Sequence, residues 1–174
     1  LGCDPASGTG GFMFSALEYI VKNEKVKNND LLKNIYFYDI SKSLIKLISM
    51  RMMFEFSDCE ANCTVKDSIV EDFDMTYDYV LTNPPFGTKK GGERATRDDF
   101  TYPTSNKQLN FLQHIYRSLK NNGKARAAVV LPDNVLFADG DGEKIRRDLL
   151  DKCNLHTILR LPTGIFYAQG VKTN

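Results

Sequence analysis

Two loop sequences, each placed directly after a short apolar run, most constrain the fold of this chain. They are residues 4–12 (DPASGTGGF) and residues 83–86 (NPPF). An apolar run, a glycine-rich loop and then an amphipathic stretch are typical of a strand–loop–helix unit in a parallel sheet. Ligands of such sheets bind at the carboxyl ends of the strands. The two loops therefore predict an α/β fold with both loops at one edge of the sheet.

Strand-length apolar runs and stretches with helical periodicity alternate along the rest of the chain. Helices are predicted over 12–22, 41–52, 109–119 and 144–150, and strands over 35–38, 63–65, 79–81, 125–131 and 155–161. The continuous apolar run at 125–131 predicts a strand that is buried on both faces. This alternation predicts right-handed crossovers and a mostly parallel sheet with helices on both faces.

The chain ends and the bulk composition limit the possible function classes. Only Leu1, Gly2 and Cys3 precede the first loop, and the chain stops at Asn174. We expect residues 1–174 to be a single catalytic domain truncated at both ends. Four cysteines without a C-x-x-C pair, beside two histidines, argue against a metal site. A net charge of +1 is low for a domain that binds DNA by itself, so we expect other parts of the assembly to contact the DNA phosphates.

The glycine-rich loop favours one cofactor class over two others. A phosphate-binding loop requires Gly-Lys-Ser/Thr, which is missing, and a dinucleotide loop requires a third glycine where Met13 stands. S-adenosylmethionine needs no pyrophosphate site. Asp4 could pair with its ammonium group, Asp39 with its ribose and Asp67 with its adenine amino group. Taken singly, a ligand-free glycine turn and solvated or capping acids remain alternatives for these features.

The loop at residues 83–86 suits methylation of an exocyclic amine. Two prolines fix φ and offer no N–H, so the Asn83 amide and the Pro84 carbonyl are free to point outward. Two acceptors at the amino hydrogens would make the nitrogen lone pair available, and most of the catalysis would be positioning. A base inside a duplex must be flipped out, and Phe86 is placed to stack on it. A rigid turn with a core aromatic residue is the alternative.

These motifs, in this order, resemble those of the N6-adenine DNA methyltransferases, and most closely the modification subunit of type I restriction–modification systems. Residues 4–12, 37–40 (FYDI), 66–68 (KDS) and 83–87 (NPPFG) are similar to the family's first four motifs. The resemblance continues through residues 110–114, 119–124, 128–137 and 160–167. It covers nearly the whole chain, which is identified as a catalytic-domain fragment that lacks the family's N-terminal helical region and its final strands.

The resemblance implies a Rossmann-like methyltransferase fold and methyl transfer from S-adenosylmethionine, without a metal, to N6 of adenine. It implies catalysis by Asn83, Pro84 and Phe86, with Phe86 and Phe166 stacking on the flipped base. It implies cofactor contacts at Asp4, Ala6, Gly8, Gly10, Gly11, Phe12, Asp39, Ile40, Asp67, Ser68 and Asn83. The implied partners are double-stranded DNA and the specificity and restriction subunits, in the cytoplasm of a bacterium or archaeon and without a membrane.

Two other functions remain open from the sequence. Methyltransferases that act on a glutamine of protein release factors, or on guanine in ribosomal RNA, share the Asn-Pro-Pro loop. A catalytically silent scaffold is the other alternative. The polar segment 87–107 is long for a connection inside a compact domain, and we expect it to be a mobile loop in which Lys89, Lys90, Arg94 and Arg97 could contact phosphate.

Overall fold

The computed structural model describes residues 1–24, 31–56, 62–73, 75–87, 97–162 and 165. In chain order, its strands and helices are β1 (Gly2–Asp4), α1 (Gly11–Glu24), β2 (Ile35–Asp39), α2 (Lys42–Phe56), β3 (Asn62–Val65), β4 (Tyr79–Thr82), α3 (Lys107–Ser118), β5 (Arg126–Val129), α4 (Asn134–Phe137) and α5 (Asp141–Lys152). None of the helices in these ranges is both long and apolar enough to span a membrane.

The five strands form one parallel sheet in the order β3-β2-β1-β4-β5. The chain moves outward from β1 to β3 and then crosses back to place β4 on the other side of β1. This reversal creates a crevice at the carboxyl ends of β1 and β4, where ligands of such sheets bind. The loops that follow β1 and β4, which carry the two motifs, are therefore neighbours.

Successive side chains of the strands point to opposite faces of the sheet and pack into two hydrophobic cores, one on each face. On one face, Phe37 of β2 packs among apolar residues of α1 and α2, namely Met13, Phe14, Leu17, Ile48 and Met52. On the opposite face, Tyr38 and Val80 pack with Ile115 of α3. The predicted parallel sheet with helices on both faces is confirmed.

Two features of the predicted sheet are wrong. The run at 125–131 forms only β5, and the first three residues of that strand are exposed. This strand is the edge of the sheet, so no second neighbour covers it among the described residues. The predicted strand at 155–161 is absent, and Ile158 and Leu159 are exposed. An apolar run indicates residues that could be buried in a strand. The strand itself forms only where a neighbouring strand supplies hydrogen bonds.

The segment predicted to be a mobile loop, 87–107, is described only in part. Residues 88–96, with Lys89, Lys90 and Arg94, lie outside the described residues. In the described part, Arg97, Phe100 and Thr104 are buried. Arg97 is thus an internal residue, because protein groups accept hydrogen bonds from its guanidinium. The mobility of the segment stays a prediction.

We expect Phe37→Ala to lower the free energy of unfolding by about 3–5 kcal/mol, because it leaves a cavity beside Phe14, whose ring centroid is 5.7 Å away. Phe54→Ala removes the same side chain from α2, where Phe54 is 85% exposed, and should change that free energy by less than about 0.5 kcal/mol. Urea unfolding followed by circular dichroism measures both variants. Equal losses would contradict the assignment of Phe37 to the core.

Candidate active site

The loop between β1 and α1 is shaped by a glycine that no other residue can replace without strain. Gly10 has φ 78°, and a Cβ at this position would lie 2.7 Å from the Phe14 ring. At the other end of the loop, the Ser7 N–H and the Ser7 hydroxyl both donate to the Tyr38 carbonyl, at 2.9 and 3.1 Å. The loop is thus fixed by the core of α1 and by the end of β2.

Asp39, at the end of β2, uses both carboxylate oxygens to hold its surroundings. Its Oδ2 accepts from the Gly8 N–H at 2.9 Å, and its Oδ1 accepts from the Ser41 N–H at 2.8 Å, just before α2. Each carboxylate oxygen can accept a second hydrogen bond. Asp39 can therefore shape the glycine loop and still accept from a ligand hydroxyl, and its ribose role stays a prediction.

Asp4, at the end of β1, is a buried carboxyl group. It is 2% exposed, and its Oδ1 accepts from the Ala6 N–H at 3.1 Å. Burial raises the pKa of Asp4 to about 7, against the opposing effects of the nearby Thr82 hydroxyl and the Ala6 N–H. A positively charged ligand group at this carboxylate would replace the solvation that burial removes.

The loop after β3 places Asp67 and Ser68 beside the glycine loop. Asp67 Oδ1 accepts from the Ile69 N–H at 3.1 Å, and the buried Ser68 hydroxyl donates to the Pro5 carbonyl. An apolar cluster of Ile69, Phe100 and Phe111 packs against Ala6 of the glycine loop. The loops after β1, β2 and β3 are therefore joined at one edge of the sheet.

The loop after β4 contains an acceptor with no donor. Asn83 Oδ1 is buried and accepts no hydrogen bond from the part of the chain that the structure describes. Thr82 Oγ1, one residue before it, is in the same condition, as is Asn110 Oδ1 of α3. A cavity of about 250 Å³ is lined by Asn83, Pro84, Pro85 and Phe86. An unpaired buried acceptor costs roughly 1–3 kcal/mol, which a ligand donor would recover.

The far end of this loop is anchored to α3. The Lys107 N–H donates to the Gly87 carbonyl at 3.2 Å. Asn106 caps the helix, because its side chain accepts from the Leu109 N–H at 3.1 Å. The NPPF loop is thus held by β4 on one side and by the start of α3 on the other.

The structure brings most of the predicted site residues to one edge of the sheet. Gly11 and Phe12 begin α1, while Ile40 follows β2 with its side chain exposed. Phe166 lies outside the described residues. Within the described ranges, no group of three or more His, Cys, Asp or Glu side chains could hold a metal ion.

Sequence reasoning missed the internal positions of Ser7 and Arg97. Ser7 ties the glycine loop to β2, and only its place inside the glycine motif could have indicated this. Arg97 was grouped with the other basic residues of its loop. The one local signal of its burial is the apolar Phe100 three residues later, over whose ring the guanidinium lies at 4.3 Å.

Comparison with known proteins assigns the chain to a family. Residues 3–174 match the family described as N-6 DNA Methylase. The chain is 46% identical, over 98% of its length, to the type I restriction enzyme StySPI methylase subunit of Salmonella potsdam. It is 44% identical, over the same share, to the EcoKI methylase subunit of Escherichia coli K12. The chain spans about a third of these relatives, since each alignment covers 34% of the relative.

Solved structures agree with this assignment. The EcoKI M protein matches 99% of this chain and 38% of its own, with a TM-score of 0.83 and 39% identity. A modification subunit of a putative type I restriction enzyme from Vibrio vulnificus matches 94% of this chain and 36% of its own, with a TM-score of 0.75 and 31% identity. A putative class I S-adenosylmethionine-dependent methyltransferase from Listeria monocytogenes, at 17% identity and a TM-score of 0.63, shares the fold. The predicted methyltransferase fold is confirmed, and the chain belongs to the N-6 DNA methylase family.

Proposed function

We propose that this chain is the catalytic part of a type I modification subunit, which transfers a methyl group from S-adenosylmethionine to N6 of adenine in DNA. The observation that carries the proposal is the buried, unpaired Oδ1 of Asn83, a residue that lines the NPPF cavity one strand away from the glycine loop. The relatives are methylase subunits of type I restriction enzymes. This similarity favours adenine in DNA over protein glutamine, ribosomal RNA guanine or a silent scaffold.

The residues at the sheet edge fit the proposed cofactor. Asp4 would hold its ammonium group, Asp39 its ribose and Asp67 its adenine amino group. The backbone and apolar contacts would come from Ala6, Gly8, Gly10, Gly11, Phe12, Ile40 and Ser68. When bound, S-adenosylmethionine supplies a methyl group on a positively charged sulfur, which the lone pair of an amine can attack. The glycine conformation at Gly10 and the buried Asp4 carboxyl support this fit.

Asn83 and Pro84 would act by positioning the target amine. The Asn83 Oδ1 and the Pro84 carbonyl would each accept one N6 hydrogen, so that the lone pair points away from the protein acceptors. Both groups are fixed before the base arrives, since prolines restrict the loop and its ends are anchored at β4 and α3. Preset acceptors stabilise the positive charge that develops on nitrogen without reorganising in the transition state.

The partners and location of the whole protein are part of the proposal. Double-stranded DNA would be bound together with a specificity subunit, and a restriction subunit would complete the assembly. Related chains come from Escherichia coli and from the archaeon Methanocaldococcus jannaschii. We propose that the protein acts in the cytoplasm of a bacterium or archaeon, where DNA is found.

Replacing Asn83 should separate catalysis from cofactor binding. In the longer subunit with its specificity partner, Asn83→Ala should lower kcat at least about 100-fold, the range for losing one preset polar contact in the transition state. The Kd for S-adenosylmethionine should stay within about twofold, because the acceptor acts on the amine. Asn23→Ala, at an exposed amide on α1, is the matched control and should leave both values unchanged. Asn83→Ala activity within a few-fold of wild type would refute the proposed role.

Asp4→Asn should improve stability and harm cofactor binding. The folded pKa of about 7 lies above the ordinary 3.8, so the carboxyl contributes stability that is present below about pH 4 and lost as pH rises to about 7. Asn keeps an acceptor for the Ala6 N–H and carries no charge. The variant should exceed wild type by about 2–4 kcal/mol at pH 8, a gain that shrinks toward pH 4.

The same Asp4→Asn protein should bind S-adenosylmethionine at least about tenfold more weakly, because the partner of the ammonium group loses its charge. Urea unfolding across pH and calorimetric titration measure the two effects. Asp151→Asn, at an exposed position on α5, is the control and should change neither. A variant that is less stable than wild type at pH 8 would show that the carboxylate is satisfied in the native protein.

Phe86 should contribute to capture of the flipped base. Phe86→Ala in the longer subunit should weaken binding to DNA with a fluorescent base at the target position by roughly 1–3 kcal/mol, the range for base–aromatic stacking. Phe86→Tyr should retain most of this affinity. Phe137→Ala, which removes an exposed ring on α4, serves as the control. A large drop in melting temperature with unchanged DNA affinity would instead assign Phe86 to the core.

A further inference from the structure

Arg97 is a buried cation that joins three segments of the chain. Only 2% of its side chain is exposed. Its nitrogens donate to Asp99 Oδ1 (2.7 Å) and Oδ2 (2.6 Å), Asp72 Oδ1 (2.9 Å), the Ser68 carbonyl (2.7 Å), the Glu71 carbonyl (3.3 Å) and His114 Nδ1 (2.8 Å). The guanidinium thus connects the loop after β3 with the segment before α3 and with α3 itself.

The contact with His114 fixes the state of that histidine. Arginine can only donate, so His114 Nδ1 must be an acceptor and the ring hydrogen must be on Nε2. Burial, together with the charge of Arg97, lowers the pKa of His114 to about 3. His114 therefore remains a neutral acceptor at physiological pH, and Arg97 keeps this partner throughout.

Stability alone does not explain this cation. Burying a charged pair is expensive, and apolar residues of similar volume often stabilise a fold as well or better. A guanidinium supplies something that an apolar side chain lacks, which is a rigid set of donors. The loop from Asp67 to Phe73 lies between β3 and β4, outside the sheet, so neighbouring strands do not satisfy its carbonyls. Arg97 donates hydrogen bonds to the carbonyls of Ser68 and Glu71.

The Arg97 contacts continue into the glycine loop. The Ser68 carbonyl accepts a hydrogen bond from Arg97, and the Ser68 hydroxyl donates to the Pro5 carbonyl. Phe100, beneath the guanidinium, packs in the apolar cluster that reaches Ala6. A change in the position of Arg97 would therefore move the Asp67–Ser68 backbone relative to the glycine loop.

We propose that Arg97 is a positioning residue, which holds Asp67 and Ser68 in the orientation in which they recognise the adenine of the cofactor. This inference rests on the proposed function, because it presupposes that S-adenosylmethionine binds at this edge of the sheet. It assigns Arg97 to the cofactor side of the active site and not to contact with DNA phosphate.

The test compares two ligands that differ only at the N1–C6 edge of the purine ring. They are S-adenosylhomocysteine and S-inosylhomocysteine, in which an oxo group replaces the adenine amino group. Their Kd values are measured by calorimetry on the longer subunit, as wild type, Arg97→Lys and Asp67→Ala. Lysine keeps the charge but has three N–H donors on one nitrogen, which cannot serve the six acceptor atoms that contact the Arg97 guanidinium.

Wild type should bind S-adenosylhomocysteine more tightly than S-inosylhomocysteine. Arg97→Lys should raise the Kd of S-adenosylhomocysteine about tenfold and that of S-inosylhomocysteine much less. Asp67→Ala should reduce the same preference, and the double variant should lose little more than either single one, since both act on one contact. DNA affinity and its salt dependence should be unchanged in Arg97→Lys. Tyr116→Phe, which removes a hydrogen bond to Asp148 and none of the Arg97 contacts, controls for lost stability and should leave the preference intact.

Three results would overturn the inference. Equal weakening of both ligands by Arg97→Lys would make Arg97 a general support of the fold. Weaker DNA binding with a reduced salt dependence in Arg97→Gln, which removes the positive charge, would make Arg97 a phosphate ligand. Wild-type binding without preference for the adenine ligand would remove adenine recognition while leaving the proposed function in place. If wild type bound neither ligand, the proposed function itself would fail.

Discussion

The architecture depends on the pairing of one very short strand with neighbours on both sides. β1 has three residues, and its first, Gly2, lies opposite Ile35 of β2 and Tyr79 of β4. All three strands run in the same direction, so their carboxyl ends meet at one edge of the sheet. The glycine loop and the NPPF loop are far apart along the chain, and this pairing alone makes them neighbours.

The sheet edge combines polar groups with burial, and this combination has a thermodynamic consequence. Asp4 and Thr82 are buried, and Asn83 Oδ1 has no described donor. The buried Asp4 carboxylate and the unpaired Asn83 Oδ1 are costly in the free protein, and a ligand that brings a cation and a donor would lower this cost. A ligand that binds only the folded state raises stability by mass action. The site is therefore a place where binding free energy and folding free energy are tightly linked.

The sequence predicted the features that depend on local chemistry. The loops at 4–12 and 83–86 and the three acids at strand ends follow from residue type and spacing, and the structure brings them together. The predictions of a buried β5 and of a strand at 155–161 were wrong, and Arg97, which was expected as a possible phosphate contact, is internal. Each of these features depends on what packs against the segment from elsewhere in the chain. Arg97 is the clearest case. Its partners Ser68, Asp72 and His114 are distant in sequence, so no local pattern reveals them.

Side chains alternate between the two faces of the sheet along β4, so the site depends on the number of residues in this strand. Val80 belongs to the core beneath α3, whereas the next residue, Leu81, packs against the core of α1 and α2. Inserting or deleting one residue in this strand would exchange the two faces and turn the Asn83 side chain away from its cavity. In homologous chains, apolar residues of different size should therefore replace one another between Tyr79 and Thr82, while the number of residues in this strand stays the same. Length variation should instead collect in the connections that enter the amino ends of the strands, at the edge opposite the cavity.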